Sequence, residues 1–465
     1  MALKDKNVKH KIDRIGTTTD CLASRAGLSL ISKYITSTRI STILSDVFSF
    51  LRKSSKGTRL SSLFHQLICF FFDGTNHHLT HFDNLVKDKG YAASIETPLY
   101  QMASSHAMKR FFQAFSVVRV WLFRKIIQRL FLWRLSIEKP EVIIIGLDTM
   151  VMDNDEAKKR EGVEPTYKKV KGFQPLQMYW GRYIIDTIFR NGKAHSNHGT
   201  HVKQMVTNVV KLIRNHYSAT VPIILVADTG FFSEETFKLC NQLGIGFIIG
   251  GKMYNDIKEL ISGKPENEFF EYTRKGKTWF FCEFMDQRKK WETSWRTIYT
   301  KPISDDDGQI LLEFERPETI IYTNLGMNNS ITQTVLKVKG TQETTISPQA
   351  IITGYHKRGC DELINRGLKD FGTEILPFKR FTANAAYYYM MIISFFLFES
   401  FKYDIDCEII PLSWYATTFR RRCIDIAGKI VKTGRQLILK IAESTYHLLQ
   451  FDILFSRSVS PFPIQ

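Results

Sequence analysis

From Leu22 to about Leu135 the apolar residues recur three and four positions apart, as in Leu28, Leu30, Ile31, Tyr34 and Ile35, or Leu60, Leu63, Phe64, Leu67 and Ile68. That is the stripe of helices packed on one side, so residues 1–138 are expected to form a helical domain. After Pro140 the texture changes. Glu141-Val-Ile-Ile-Ile-Gly-Leu-Asp148 and Val221-Pro-Ile-Ile-Leu-Val-Ala-Asp228 are apolar, β-branched runs that predict strands buried on both faces. A third such run covers 245–249, and helices are predicted over 200–216 and 233–243. Two further runs, 173–180 and 183–190, meet at Gly181-Arg182 as the arms of a hairpin do. The order strand, hairpin, helix, strand, helix, strand predicts a mixed α/β sheet with helices on its faces.

Between Lys252 and Ile346 the pattern turns to short aromatic strands, 269–274 and 278–284, with turns at Lys275-Gly276-Lys277 and Asp305-Asp306-Asp307-Gly308. This reads as a β-rich insertion that leaves the α/β domain as a separate lobe. From Ser347 the chain is helical again, ending in Arg420-Arg421-Arg422 and a basic helix to about Leu449. The expected division is a helical N-terminal DNA-binding domain (1–138), a first catalytic part (139–251), the insertion (252–346), a second catalytic part (347–400) and a basic helical region (401–465).

Composition narrows the class of partner. Of 465 residues, 44 % are hydrophobic and 13 % aromatic, enough to bury several cores and too many for a disordered chain. The 64 Lys and Arg outnumber 46 Asp and Glu, giving a net charge of +18, so a polyanion, nucleic acid first, is the expected partner. Residues 101–137 carry Lys109, Arg110, Arg119, Arg124, Lys125, Arg129 and Arg134 and no acid. Arginines stepping by five spread around a helix, which leaves both a DNA-facing element and snorkelling at a domain boundary open.

The cysteines are scattered without a Cys-x-x-Cys pair, which suggests neither a disulfide framework nor a zinc site and fits a reducing cytoplasm. The N-terminal residues hold Lys4, Lys6, Lys9 and Lys11 and no apolar run, unlike a signal peptide. The longest apolar stretch, 387–398, is shorter than the roughly 18 residues that suggest a membrane span. No membrane partner is expected.

Two predicted strands end on an aspartate, Asp148 and Asp228, and ligands gather at the C-terminal ends of strands in open α/β sheets. Side-by-side buried carboxylates are unfavourable unless a cation lies between them, which a divalent metal would supply. The alternative is that each caps a following turn. Asp153, Asp155 and Glu156 are rival ligands, but only Asp148 follows directly on the buried strand. A third element is Tyr355-His-Lys-Arg358-Gly-Cys-Asp-Glu362-Leu-Ile-Asn-Arg-Gly-Leu-Lys369. At 3.6 residues per turn, Tyr355, Arg358, Glu362 and Lys369 fall within roughly 60° of one another on a helix. One face would then present an acid flanked by two cations and a phenol.

The spacing Tyr-x2-Arg-x3-Glu-x6-Lys resembles the signature of bacterial insertion-sequence transposases of the Asp-Asp-Glu (DDE) type. Gly146-Leu-Asp148-Thr resembles their first catalytic motif and Ala227-Asp228-Thr-Gly-Phe-Phe their second. Phe381-Thr-Ala-Asn384-Ala-Ala, Phe419-Arg-Arg-Arg422 and Gly434-Arg435 resemble their C-terminal part. The resemblance implies an RNase H-like catalytic fold, with Asp148, Asp228 and Glu362 as catalytic residues and as ligands of two Mg²⁺ or Mn²⁺ ions. It implies Tyr355, Arg358 and Lys369 on DNA, and double-stranded transposon ends and target DNA as partners. It further implies a homodimer on paired ends, in the nucleoid-bearing bacterial cytoplasm. Rival readings are a transposase retained only for DNA binding and an RNase H-like nuclease without strand transfer.

Trp279, Trp291 and Trp295 are candidates for stacking on an unpaired base, with core packing expected for at least two. Gly246-Phe-Ile-Ile-Gly-Gly251-Lys252-Met253 approaches a phosphate loop, but Met253 replaces the required Ser or Thr, so no nucleotide cofactor is expected. The clusters His195, His198, His201 and His77, His78, His81 read as exposed polar loops.

Overall fold

The computed structural model describes residues 12–51, 57–157, 159–197, 199–304, 317–341, 343–406 and 409–464. His198, the turn at 305–308 and the lysines at 4, 6, 9 and 11 lie outside them.

The β-branched runs form strands where the pattern places them. Among the described residues the principal sheet has nine strands: β1 (Ile143–Thr149), β2 (Leu176–Trp180), β3 (Tyr183–Ile188), β4 (Ile223–Ala227), β5 (Gly246–Gly251), β6 (Phe270–Arg274), β7 (Lys277–Asp286), β8 (Trp295–Pro302) and β9 (Thr319–Thr323). Their spatial order is β6-β7-β8-β9-β5-β4-β1-β2-β3. Strands β1, β4 and β5 are parallel to one another, while β2 is antiparallel to β1 and β3 to β2. The first five strands in chain order thus stand as 3-2-1-4-5, the mixed RNase H-like sheet expected. The β2–β3 hairpin turns at Gly181, whose φ of 58° suits a residue without a Cβ.

Side chains alternate across this sheet. Ile223, Leu225, Ala227, Phe247 and Ile249 face the main core, while Ile224, Val226 and Ile248 join a smaller core on the other face. Helices Ser330–Lys339 and Pro348–His356 cover that second face through Val335, Leu336, Ile351, Ile352 and Tyr355.

Residues 252–346 differ from the expected separate lobe. Strand β9 pairs antiparallel with β5, and β8, β7 and β6 follow outward, so the segment extends the catalytic sheet instead of leaving it. The backbone edge of β5 would otherwise be open, and β9 satisfies its hydrogen bonds.

The N-terminal region is helical, as its periodicity indicates. Its helices pack around Phe381–Asp406, a 26-residue helix that also meets β3 and helix Leu122–Glu138. By length and composition this helix could cross a membrane, yet 89 % of its apolar window is buried inside the protein. A helix apolar all round is what a position at the centre of a large core requires.

The expected basic helix to about Leu449 is corrected. Residues Gly428–Thr433 and Gln436–Ile441 form a hairpin whose first arm pairs with Cys21–Ala23, and short helices follow at Glu443–Leu448 and Phe451–Ser458. Lys429, Lys432 and Lys440 supply the basic character on strands instead of a helix.

Candidate active site

Leu147 of β1, Ala227 of β4 and Ile249 of β5 lie in one register row. One step further, Asp148, Asp228 and Gly250 form the next row, on the face of the smaller core. Adjacent strands are about 4.8 Å apart, so the two aspartates are direct neighbours. Asp148 accepts from the Thr149 amide at 2.7 Å, and Asp228 accepts from the Gly230 amide at 2.8 Å. The turn-capping alternative therefore holds for Asp228 alongside its place in the row. Burial, and then the Asp228 charge, pushes the Asp148 carboxyl up to about 6. Two like charges meet there in a partly dry environment.

The third motif lies over this row, but not as one helix. The chain breaks at Lys357 and Arg358, between Pro348–His356 and Gly359–Phe371, so Tyr355 and Glu362 do not share a helical face. Tyr355 is buried with its phenol above Gly250, where any Cβ would collide with the oxygen. Burial raises its pKa, with Asp228 adding to the rise and Arg358 opposing it. Arg358 sits at the break, its guanidinium 5.7 Å from the Tyr355 ring, and its charge favours the ionised forms of Asp148 and Asp361.

The helix Gly359–Phe371 approaches β1 through Asp361, a residue the sequence reading passed over. Its carboxylate lies against Gly146, where an added Cβ would collide with it. Gly146 is two residues before Asp148 and shares its face. Asp361 is 7 % exposed, and its Oδ2 is buried without a hydrogen-bond partner. Burial, then the Asp148 charge, pushes it up to about 7. Glu362, the expected third ligand, is exposed. Lys369 pairs with Glu374 at 2.6 Å near the end of the same helix.

Other residues missed from sequence lie on the loop before Val170. Tyr167 is raised by burial and then by both aspartates, and Lys168 favours the ionised Asp148, which places both beside the row. Neither sits in a periodic pattern that would single it out. The rival Asp153 is exposed and accepts from the Asp155 amide at 2.9 Å. Residues Gly246–Gly251, which approached a phosphate loop, are β5 itself.

The tryptophans belong to packing. Trp295 is 1 % exposed between Phe237 and Phe247. Trp279 is buried against Tyr272 and His356. Trp291 is half-buried against Phe232, Phe237 and Tyr322.

Hard carboxylate oxygens on neighbouring strands are the donor type that Mg²⁺ and Mn²⁺ select, and a cation there would relieve the Asp148–Asp228 repulsion. Among the described residues, no three His, Cys, Asp or Glu side chains converge to hold a metal. The structure brings together two of the three expected ligands and leaves the third one position along its helix from a buried acid.

The strand order and the aspartate pair define a protein of the RNase H-like class. A family model described as transposase DDE domain group 1 matches residues 5–457, and the chain belongs to that family. A piggyBac transposase in a synaptic complex with hairpin DNA is similar in structure at a TM-score of 0.40 and 12 % identity, over 94 % of this chain and 82 % of that one. No curated protein sequence matches the chain.

Proposed function

We propose that this protein is a DNA transposase that cleaves the ends of a mobile element and joins them to target DNA. The observation that carries the reading is the pair Asp148 and Asp228, side by side on parallel strands beneath the helix bearing Glu362. Asp148, Asp228 and Glu362 would hold two divalent ions, which supply an activated water or 3′-hydroxyl and stabilise the leaving oxygen. Arg358, at the helix break, would pair with a phosphate near the scissile bond, since a guanidinium fork matches phosphate geometry. Lys369 would reach a phosphate by exchanging Glu374 for it. Two element ends call for two protomers, so a homodimer on paired ends is part of the proposal.

A second reading of the ligand set rests on one observation: Asp361, not Glu362, is the acid packed on β1 beside Asp148. In that case Asp361 completes the site and Glu362 faces DNA or solvent.

The test is excision and joining of a plasmid-borne element with its native flanks, with Mg²⁺ present. Asp148→Asn and Asp228→Asn should each abolish cleavage while duplex binding persists. Loss with Glu362→Gln and retention with Asp361→Asn selects the first ligand set, and the reverse selects the second. Cleavage without joined product points to a nuclease, and binding without cleavage by the native chain points to a retired transposase.

A further inference from the structure

A cavity of about 710 Å³ opens where the turn after helix Leu60–Asp73 meets the segment that follows the Glu362 helix. Lys109, Arg160, Lys379 and Arg380 line it together with Thr75 and Gln113, and no Asp or Glu does. Burial, and then Arg420, pulls the His77 imidazole in its wall down to about 4, so that ring carries no charge at neutral pH. Three of the cations are exposed and Arg160 is half-buried. None of the four forms a salt bridge among the described residues. Asp83 lies near Lys109 and the Glu161 carboxylate near the Phe381 amide, but neither lines the cavity, so its wall is cationic and suits a polyanion.

The walls are braced. Arg160 donates to Asn154 Oδ1 at 2.9 Å, and the same Asn154 side chain binds the Glu374 carbonyl and the Leu376 amide at 2.7 and 3.1 Å. The Phe381 amide donates to Glu161 Oε2 at 2.9 Å, and the Glu161 amide to the Lys379 carbonyl at 2.8 Å. The cationic side chains therefore project from backbone fixed on both sides, which lowers the ordering cost of binding.

We propose that this cavity is a DNA-backbone site, in which Lys109, Arg160, Lys379 and Arg380 contact phosphates of one strand. The inference deepens the transposase reading and rests on it for the identity of the polyanion. The helix runs from Glu362 toward this segment, its nine steps to Phe371 spanning roughly 14 Å. The cavity would hold a substrate strand on its way to the cut.

Phosphate contacts are independent of sequence, so the probe is a short random-sequence duplex, with affinity followed by fluorescence anisotropy across a salt series. Lys109→Gln, Lys379→Gln and Arg380→Gln are combined in one variant. Its control combines Lys211→Gln, Lys337→Gln and Lys339→Gln, exposed lysines well away from the cavity that remove the same charge. Circular dichroism confirms that both fold. The cavity variant should lower the log–log slope by about 2.7, three contacts at about 0.9 each, while the control leaves it near the native value. A native slope in the cavity variant, or an equal fall in the control, overturns the inference. Failure of the catalytic reading shows separately: a reduced slope in the cavity variant, with a native chain that never cuts an element, keeps this site and loses the chemistry.

Discussion

The phenol oxygen of Tyr355 stands over Gly250, one strand across from Asp228, so a residue with no side chain lets an aromatic ring close the row of carboxylates. Asp361 stands over Gly146 in the same way, two positions before Asp148. Both halves of the third motif thus dock on glycines.

Adding a methyl group at either glycine should displace the helix above it. Gly250→Ala is expected to cost about 1–3 kcal/mol, the usual range for overpacking, measurable as a lower urea midpoint. Gly146→Ala should also slow cleavage by about 100-fold, because it pushes the Glu362 helix away from the aspartates. Native cleavage by Gly146→Ala would show that the helix position does not govern the chemistry.

The Asp148 carboxyl, pushed up to about 6, lies above the roughly 3.9 of an unfolded aspartate. An acid raised on folding favours the folded state most below its unfolded pKa, and that contribution is lost as pH climbs through 4 to 6. Asp148→Asn should therefore be more stable than the native chain at pH 7 in chelator-treated buffer, by on the order of 2 kcal/mol. The gap should shrink toward pH 4. Thermal melts at both pH values decide it, and a less stable variant at pH 7 would refute a repulsive pair.

Mn²⁺ or Mg²⁺ should raise the melting temperature of the native chain, because a ligand bound only to the folded state stabilises it. Asp148→Asn and Asp228→Asn should lose that rise. An equal rise in all three would place the metal elsewhere.

Arg420 joins two helix ends. It donates to the Phe71 and Phe72 carbonyls at the end of Leu60–Asp73 and to the Asp370 and Phe371 carbonyls at the end of the Glu362 helix. Asp370 in turn accepts from the Thr417 amide and hydroxyl at 2.8 and 2.6 Å. Arg420→Ala leaves buried carbonyls without donors and should cost about 3 kcal/mol or more in urea unfolding. Gly74→Ala should approach the same loss, since its φ is 58° and its Cβ would fall on the Arg420 guanidinium. A cost within experimental error for Arg420→Ala would mean that water replaces the guanidinium.

The aspartate-ended strands were legible because strands buried on both faces must be continuously apolar, so a terminal Asp148 or Asp228 stands out. The role of Asp361 was not, because a one-residue shift on a helix exchanges exposed and buried positions without disturbing the motif's spacing. The break at Lys357–Arg358 likewise hides in periodicity, which fixes angles within a helix but not whether two helices abut. The hairpin Gly428–Ile441 alternates only partly, with Leu437, Ile438 and Leu439 in succession, so its turn at Gly434 was the better signal. Pairing of β9 with β5 depends on residues some 70 positions apart and leaves no local trace.

The long central helix also sets an order of assembly. Helices of the first 138 residues bury their apolar stripes against Phe381–Asp406, and Tyr34 and Arg134 both bond to Asp404. A ribosome delivers Asp404 270 residues after Arg134 and 370 after Tyr34. The early helices emerge with Phe70, Phe71 and Phe72 uncovered, so the nascent protein must hold a sticky, unfinished core until its second half arrives. Chaperone demand during synthesis should therefore track the distance between Asp73 and Phe381 along the chain, and a circular permutant that brings the central helix to the front should need less help to fold.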